Sequence, residues 1–280
     1  MSLSPQQTDR LPHVEGVLNY LKPMAEKPYN LTYDPPPGQP RSNGQPEPHK
    51  VAIHDMRPVA DRLSLDVEGI AFVEARTAQR DFYDEDEVKR VYYPECIDLV
   101  LRATGGCRAQ MFDHTIRRRA WGGTDRAPGV PRQPVTRVHN DYTVKSGPQR
   151  VRDLMNGEAD ALLQHRFQII NVWRPIRGPL RDAPLALADA SSVAFEDFVA
   201  SDLVYRDRTG ETYNVRYNPA HRWFYAPEMR PDEAILIKSY DSAEGGARFA
   251  PHTSFEDPTA PADLLPRESI EVRMLVFHRD

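Results

Sequence analysis

The placement of proline constrains this chain first. Ten of its 26 prolines fall within the first fifty of 280 residues, including Pro35, Pro36, Pro37 and Pro40, followed by Ser42-Asn43-Gly44. Proline fixes φ and carries no N–H, so consecutive prolines favour polyproline II and stay out of the middle of a sheet ladder. Residues 1–50 therefore read as an extended arm wrapped on the surface, with one short helical piece over 14–21. Residues 51–280 read as the folded domain.

Beyond Lys50 the pattern changes. Residues 51–53 and 69–73 look like short strands, and 84–103 looks like a helix that Pro94 kinks or divides and Gly105-Gly106 stops. A second helix is expected over 148–165, with proline in its first turn. The rest is β-branched and aromatic: 167–173, a hairpin from 203–206 to 212–217, then 234–238 and 270–277. Many short strands without regular intervening helices predict a mainly β fold with flanking α-helices, an antiparallel sandwich or barrel.

Composition narrows the function. Hydrophobic residues at 40% and charged residues at 28% fit a soluble globular chain, and a net charge of −5 lacks the basic footprint of a general nucleic-acid binder. Cys96 and Cys107 are too few for a disulfide framework or a cysteine zinc site, which points to a reducing, cytoplasmic setting. No apolar run approaches the roughly 20 residues of a membrane span, and the N-terminus lacks the apolar core of a signal peptide.

The chemistry concentrates at His139-Asn140-Asp141. In an extended chain, residues two apart face the same way, so an imidazole and a carboxylate converge. One distant histidine completes the two-histidine, one-carboxylate set that holds Fe(II) and leaves positions open. His-x-Asp alone is weak: it recurs at His278-Arg279-Asp280, and roughly one chance match is expected. The first copy, however, follows a strand-like stretch and has His252 downstream, then Arg267, Ser269, Glu271 and Arg273 on one face of a further strand. An arginine fork fits a carboxylate bidentately, so a dicarboxylic 2-oxo acid could chelate the metal while arginine holds its far end.

Several segments carry a family resemblance: Tyr92-Tyr93-Pro94-Glu95, residues 112–117, Val138-His139-Asn140-Asp141-Tyr142-Thr143, Asn171-Val172-Trp173-Arg174-Pro175, residues 184–187 and residues 267–277. From about residue 50 onward the chain resembles the Fe(II)/2-oxoglutarate-dependent oxygenases. Within them it is most similar to the AsaB-type hydroxylase/desaturase group, with gibberellin desaturase, cephem-methoxylase-related and TqaL-like proteins. The resemblance implies a double-stranded β-helix (jelly-roll, cupin-like) core, with His139, Asp141 and His252 as iron ligands and catalytic centre. It also implies 2-oxoglutarate as co-substrate and O2 as oxidant, with decarboxylation to succinate and CO2 coupled to hydroxylation, desaturation or oxidative cyclisation of a specialised metabolite or amino-acid derivative.

Arg267 fits the Arg-x-Ser form of the co-substrate anchor, and Arg273 is the alternative; Ser269 and Asn171 are grouped with them. Tyr142, Trp173, Arg174 and Arg117 are the candidates for the substrate side, against the plainer readings of core packing and a solvated arginine run. Asp113-His114 reads as a supporting pair, not ligands. Expected partners are a small-molecule substrate, no nucleic acid and no membrane, with homo-oligomerisation open. Two other readings stand: an iron oxygenase that does not use 2-oxoglutarate, and a cupin-like binding protein without turnover.

Overall fold

The computed structural model describes residues 3–120 and 132–279. These form fourteen strands: β1 (His13–Leu21), β2 (Tyr29–Leu31), β3 (Pro46–Asp55), β4 (Ile70–Glu74), β5 (Arg108–Arg118), β6 (His139–Asn140), β7 (Phe167–Pro175), β8 (Leu185–Ala188), β9 (Phe198–Val204), β10 (Thr209–Val215), β11 (Trp223–Tyr225), β12 (Glu233–Asp241), β13 (His252–Ser254) and β14 (Glu268–Phe277). A nine-stranded sheet runs β1-β3-β11-β8-β13-β6-β10-β9-β2, and a five-stranded sheet runs β4-β12-β7-β14-β5. Pairing is antiparallel except at β3–β11 and β2–β9. This is the expected mainly β, jelly-roll architecture.

The central strands β7, β12 and β14 are buried on both faces, and their alternation sorts two cores. Between the sheets, Leu185, Leu187 and Phe224 pack on Trp173, Ile235 and Ile237. On the other face of the small sheet, Ile170, Val172, Ile270, Val272 and Met274 pack against Val88, Tyr92, Cys96 and Val100. Those last residues belong to the expected helix, which runs α-helical over Tyr93–Thr104 and begins with a π-turn at Val88–Tyr92. Pro94 cannot donate to the preceding turn, and the wider π-turn absorbs the missing bond. Gly105, at φ 68°, closes the helix in the left-handed conformation. The second expected helix covers only Ser146–Met155 before Asn156 breaks it; a short turn over Ala159–Leu162 follows.

The N-terminal region corrects the sequence reading. Residues 14–21 are not helical but lie in β1, paired with β3 along its length, and the expected boundary at residue 50 runs through β3. The cue is alternation: Val14, Gly16, Leu18 and Tyr20 are buried, with exposed or half-buried residues between them. Proline does not prevent this, because Pro46 and Pro48 occupy the half of β3 that has β1 alone as neighbour, while β11 joins only at 53–55. Pro35, Pro36, Pro37 and Pro40 fall between β2 and β3, outside any strand. β1 also braces the approach to β6. The Val138 N–H donates to the Asn19 carbonyl at 2.9 Å, and Asn19 Nδ2 donates to the Thr136 carbonyl at 3.1 Å.

Candidate active site

β6 is two residues long, yet it pairs with β10 on one side and β13 on the other, where His139 stands opposite His252. Buried Asn140 donates through Nδ2 to the Tyr142 carbonyl (2.7 Å) and to the Ser239 carbonyl on β12 (2.8 Å). That tie across the two sheets bends the chain directly after β6. Thr143 then accepts the Lys145 and Ser146 N–H groups and donates to Glu211 at 2.7 Å, which pins the loop. As a result Asp141 Oδ1 lies 3.6 Å from His139 Nε2, and ligand atoms of His139, Asp141 and His252 all fall within 4.8 Å of one another.

The imidazoles are oriented for a metal. His139 Nδ1 lies 2.8 Å from the Arg137 carbonyl and His252 Nδ1 lies 3.1 Å from the Ala250 carbonyl. A carbonyl only accepts, so each Nδ1 carries a proton, which leaves Nε2 as the nitrogen that can turn to a metal. Burial, reinforced by the neighbouring His252, pushes the His139 pKa well down and keeps the ring neutral. Burial opposes ionisation of Asp141, but His252, Arg273, His139 and Asn171 together hold it below the usual carboxylate range. Two imidazole nitrogens and one carboxylate fit a mononuclear Fe(II) centre.

These three residues line a recess of ≈ 350 Å³, counting space open to solvent, together with Arg117, Trp173, Arg267, Glu271, Val135, Leu185, Thr253 and Ser254. Arg267 is 2% exposed. Its Nε donates to Ser269 Oγ at 3.0 Å, one terminal nitrogen donates to the Ala183 carbonyl at 2.8 Å, and its guanidinium lies 5.0 Å from the centre of the Trp173 ring. Ala183 adopts φ 46°, a conformation costly for a residue with a Cβ, and its carbonyl serves both Arg267 and Ser254. Among the described residues no carboxylate forms an ion pair with the Arg267 guanidinium. Burial, with the charge of Arg117 added, pulls its pKa down to about 9.

Other expected site residues sit elsewhere. Arg273 does not line the recess: Nε donates to Asp113 at 2.6 Å and a terminal nitrogen to Thr115 at 2.8 Å. Burial is outweighed there by Asp113, Glu271 and Asp141, so its pKa is raised. Asn171 Nδ2 donates to Asp141 Oδ2 (2.9 Å) and Glu271 Oε1 (2.6 Å). Tyr142 is buried in an aromatic cluster with Tyr213 and Phe249, and Arg150 lies over its ring. Arg174 points away from the recess: one residue after Trp173, strand alternation turns it to the opposite face, where it lies 4.9 Å from the Tyr92 ring centre. His114 is bonded to the Tyr93 hydroxyl. Of the second His-x-Asp, His278 contacts Gln168, and Asp280 lies outside the described residues.

Sequence reasoning missed Glu271, Thr253, Ser254, Val135 and Leu185 as lining residues. Glu271 was legible, since it shares the alternation of Arg267 and Ser269. Leu185 lies in residues 184–187, quoted for the family resemblance, and Val135 in the strand-like stretch before His139, but nothing in either marked a lining residue.

Comparison with other proteins agrees with this geometry. A family profile described as oxidoreductase/YMDC permease-like domain matches residues 18–277. No helix among the described residues is long and apolar enough to cross a membrane. The hydroxylase/desaturase efuI of Hormonema carpetanum is 33% identical, covering 96% of both chains. The Fe(II)/2-oxoglutarate-dependent dioxygenase nvfI of Aspergillus novofumigatus is 31% identical, covering 94% of this chain and 96% of that one. A solved structure of the iron and alpha-ketoglutarate-dependent endoperoxidase NvfI superposes with a TM-score of 0.87 at 30% identity, over 96% of this chain and 99% of the other. With a fold, a donor set and full-length relatives that agree, the chain belongs to the Fe(II)/2-oxoglutarate-dependent dioxygenases of the hydroxylase/desaturase group.

Proposed function

We propose that this chain binds Fe(II) through His139 and His252 Nε2 and Asp141, anchors 2-oxoglutarate on Arg267, and oxidises a small specialised metabolite by hydroxylation, desaturation or cyclisation. The observation that carries the reading is the state of Arg267: a buried guanidinium with no carboxylate partner in the recess that holds the three donors. An unpaired buried cation is costly unless an anion joins it, and its fork suits a carboxylate. Arg273, already compensated by Asp113, has no such need. This favours a 2-oxo dicarboxylate over an iron oxygenase without one.

Iron held by His139, Asp141 and His252 would supply the oxidative decarboxylation of the co-substrate. The protein's own residues orient and exclude. Ser269 and the Ala183 carbonyl fix two edges of the Arg267 guanidinium, and the Trp173 ring backs it. Arg117, tethered to the Gln133 carbonyl at 2.8 Å, adds positive charge on the wall of the recess and is the candidate for a substrate's anionic group. Leu185 and Val135 supply apolar surface. A cytoplasmic location fits the free thiols of Cys96 and Cys107.

The test is a panel of candidate metabolites incubated with Fe(II), ascorbate and 2-oxoglutarate, read by mass spectrometry. The expected result is substrate-dependent succinate, with a product that has gained an oxygen or lost hydrogen. A protein that binds iron but never decarboxylates 2-oxoglutarate, coupled or uncoupled, is a binding protein and overturns the proposal.

A further inference from the structure

Asn171 and Arg273 face each other across the β7–β14 pair, and Glu271 stands two residues before Arg273 on the same face. All three converge on the outer side of Asp141. Asn171 spends both amide hydrogens on carboxylates, one on Asp141 Oδ2 at 2.9 Å and one on Glu271 Oε1 at 2.6 Å. A terminal nitrogen of Arg273 lies 3.8 Å from Asp141 Oδ2 and 3.7 Å from Glu271 Oε2, while Asp113 and Thr115 hold the rest of its guanidinium. The two oxygens of Asp141 are thus unlike. Oδ2 is engaged by an amide and faces an arginine; Oδ1 faces His139 Nε2 at 3.6 Å.

We infer that Asn171, Glu271 and Arg273 are positioning residues that hold Asp141 Oδ2 away from the metal, so that the carboxylate binds through Oδ1 alone. This rests on the metal reading above. A carboxylate with both oxygens free can close on a metal with both and fill a further position. A second Asp141 oxygen on the ion would take a place that the co-substrate or the second reactant would otherwise use. Glu271 gives Asn171 a second acceptor, which fixes the amide in the rotamer that serves Asp141. It also adds the negative charge that keeps Arg273 beside the pair. Asn171 and Arg273 thereby act on a ligand, not on 2-oxoglutarate directly.

The test uses Co(II) as the metal probe and needs no turnover. Wild type, Asn171→Leu and Glu271→Gln are titrated with Co(II) and then, anaerobically, with 2-oxoglutarate, following the visible Co(II) bands that report coordination. Asn171→Leu is expected to bind one Co(II) with an altered spectrum and to lose about tenfold or more in 2-oxoglutarate affinity, the scale of losses around metal ligands. Glu271→Gln, which keeps an acceptor for Asn171 but loses the charge, is expected to show a smaller loss in the same direction. A folded Asn171→Leu with wild-type spectrum and affinity overturns the inference and leaves the metal reading intact. If Asn171→Leu does not fold, Glu271→Gln decides on the same two readouts. Wild-type Co(II) binding that survives His139→Ala overturns both.

Discussion

Along β14, Ile270, Val272, Met274 and Val276 point toward the helix Tyr93–Thr104, while Ser269, Glu271 and Arg273 point toward Asp141 and the recess. The same split runs down β7, with Ile170 and Val172 on one face and Asn171 and Trp173 on the other. Nearly all of these residues are buried, so burial does not separate the faces; chemistry does. The helix face is satisfied by apolar packing. The recess face buries charges: Asn171, Glu271 and Arg273 are tied to Asp141 and to one another, whereas the Arg267 cation has no carboxylate ion pair among the described residues. Stability should therefore be written mostly on the helix face and activity on the recess face.

The largest effect expected on the recess side is at the donors. His139→Ala or Asp141→Ala should abolish substrate-dependent succinate formation and stoichiometric iron binding. Full turnover in both would remove the metal centre from this face altogether. Arg267→Leu comes next. Truncating one partner of a buried charge pair costs about 2–5 kcal/mol, or about 30-fold to several thousand-fold in 2-oxoglutarate affinity. The free protein should melt no earlier than wild type, because the substitution removes a buried charge that has no ion-pair partner. Arg267→Lys should recover only part of the affinity, since a point charge cannot form the fork. Unchanged co-substrate affinity in Arg267→Leu would return the anchoring role to Arg273.

Across the sheet the expectation inverts. Val172→Ala removes buried methyl groups and leaves a cavity, for a loss of about 2 kcal/mol in unfolding free energy. It should leave the 2-oxoglutarate dissociation constant of the folded protein where it was. Denaturant unfolding and anaerobic ligand titration on one sample measure both.

How much of this was legible beforehand follows from the same alternation. His139 and Asp141 could be paired because period two places i and i+2 together, while His252 and Arg267 were read from their order downstream and from the family resemblance; the structure brings all four side chains to one recess. What alternation cannot show is which neighbour each face will meet. The Arg-x-Ser form pointed to Arg267 over Arg273, six residues later on the same face; what the local pattern could not show is that Asp113 and Thr115 on β5 engage Arg273 in the folded sheet. Likewise β1 was misread because the prolines around it outweighed its own alternation. Its partner β3 carries Pro46 and Pro48, and only the sheet order shows that the prolines sit where one side of β3 has no neighbour.

Arg174 gives the smallest expected effect and the sharpest division between the faces. It adjoins Trp173 in sequence, yet it is buried at 2% exposure on the helix side, with one long hydrogen bond of 3.3 Å to the Pro231 carbonyl and a buried Nε that has no partner. Its main compensation is the Tyr92 ring, and such a contact contributes up to about 2 kcal/mol when desolvated. The cost of burying the guanidinium opposes it, so an apolar side chain of similar length should do as well. Arg174→Met is therefore expected to leave thermal stability unchanged or raise it by up to about 1 kcal/mol, with 2-oxoglutarate affinity and turnover at wild-type values. A selective loss of co-substrate or substrate affinity in this variant would show that the two faces communicate through β7, and the separation drawn between them would fail at its narrowest point.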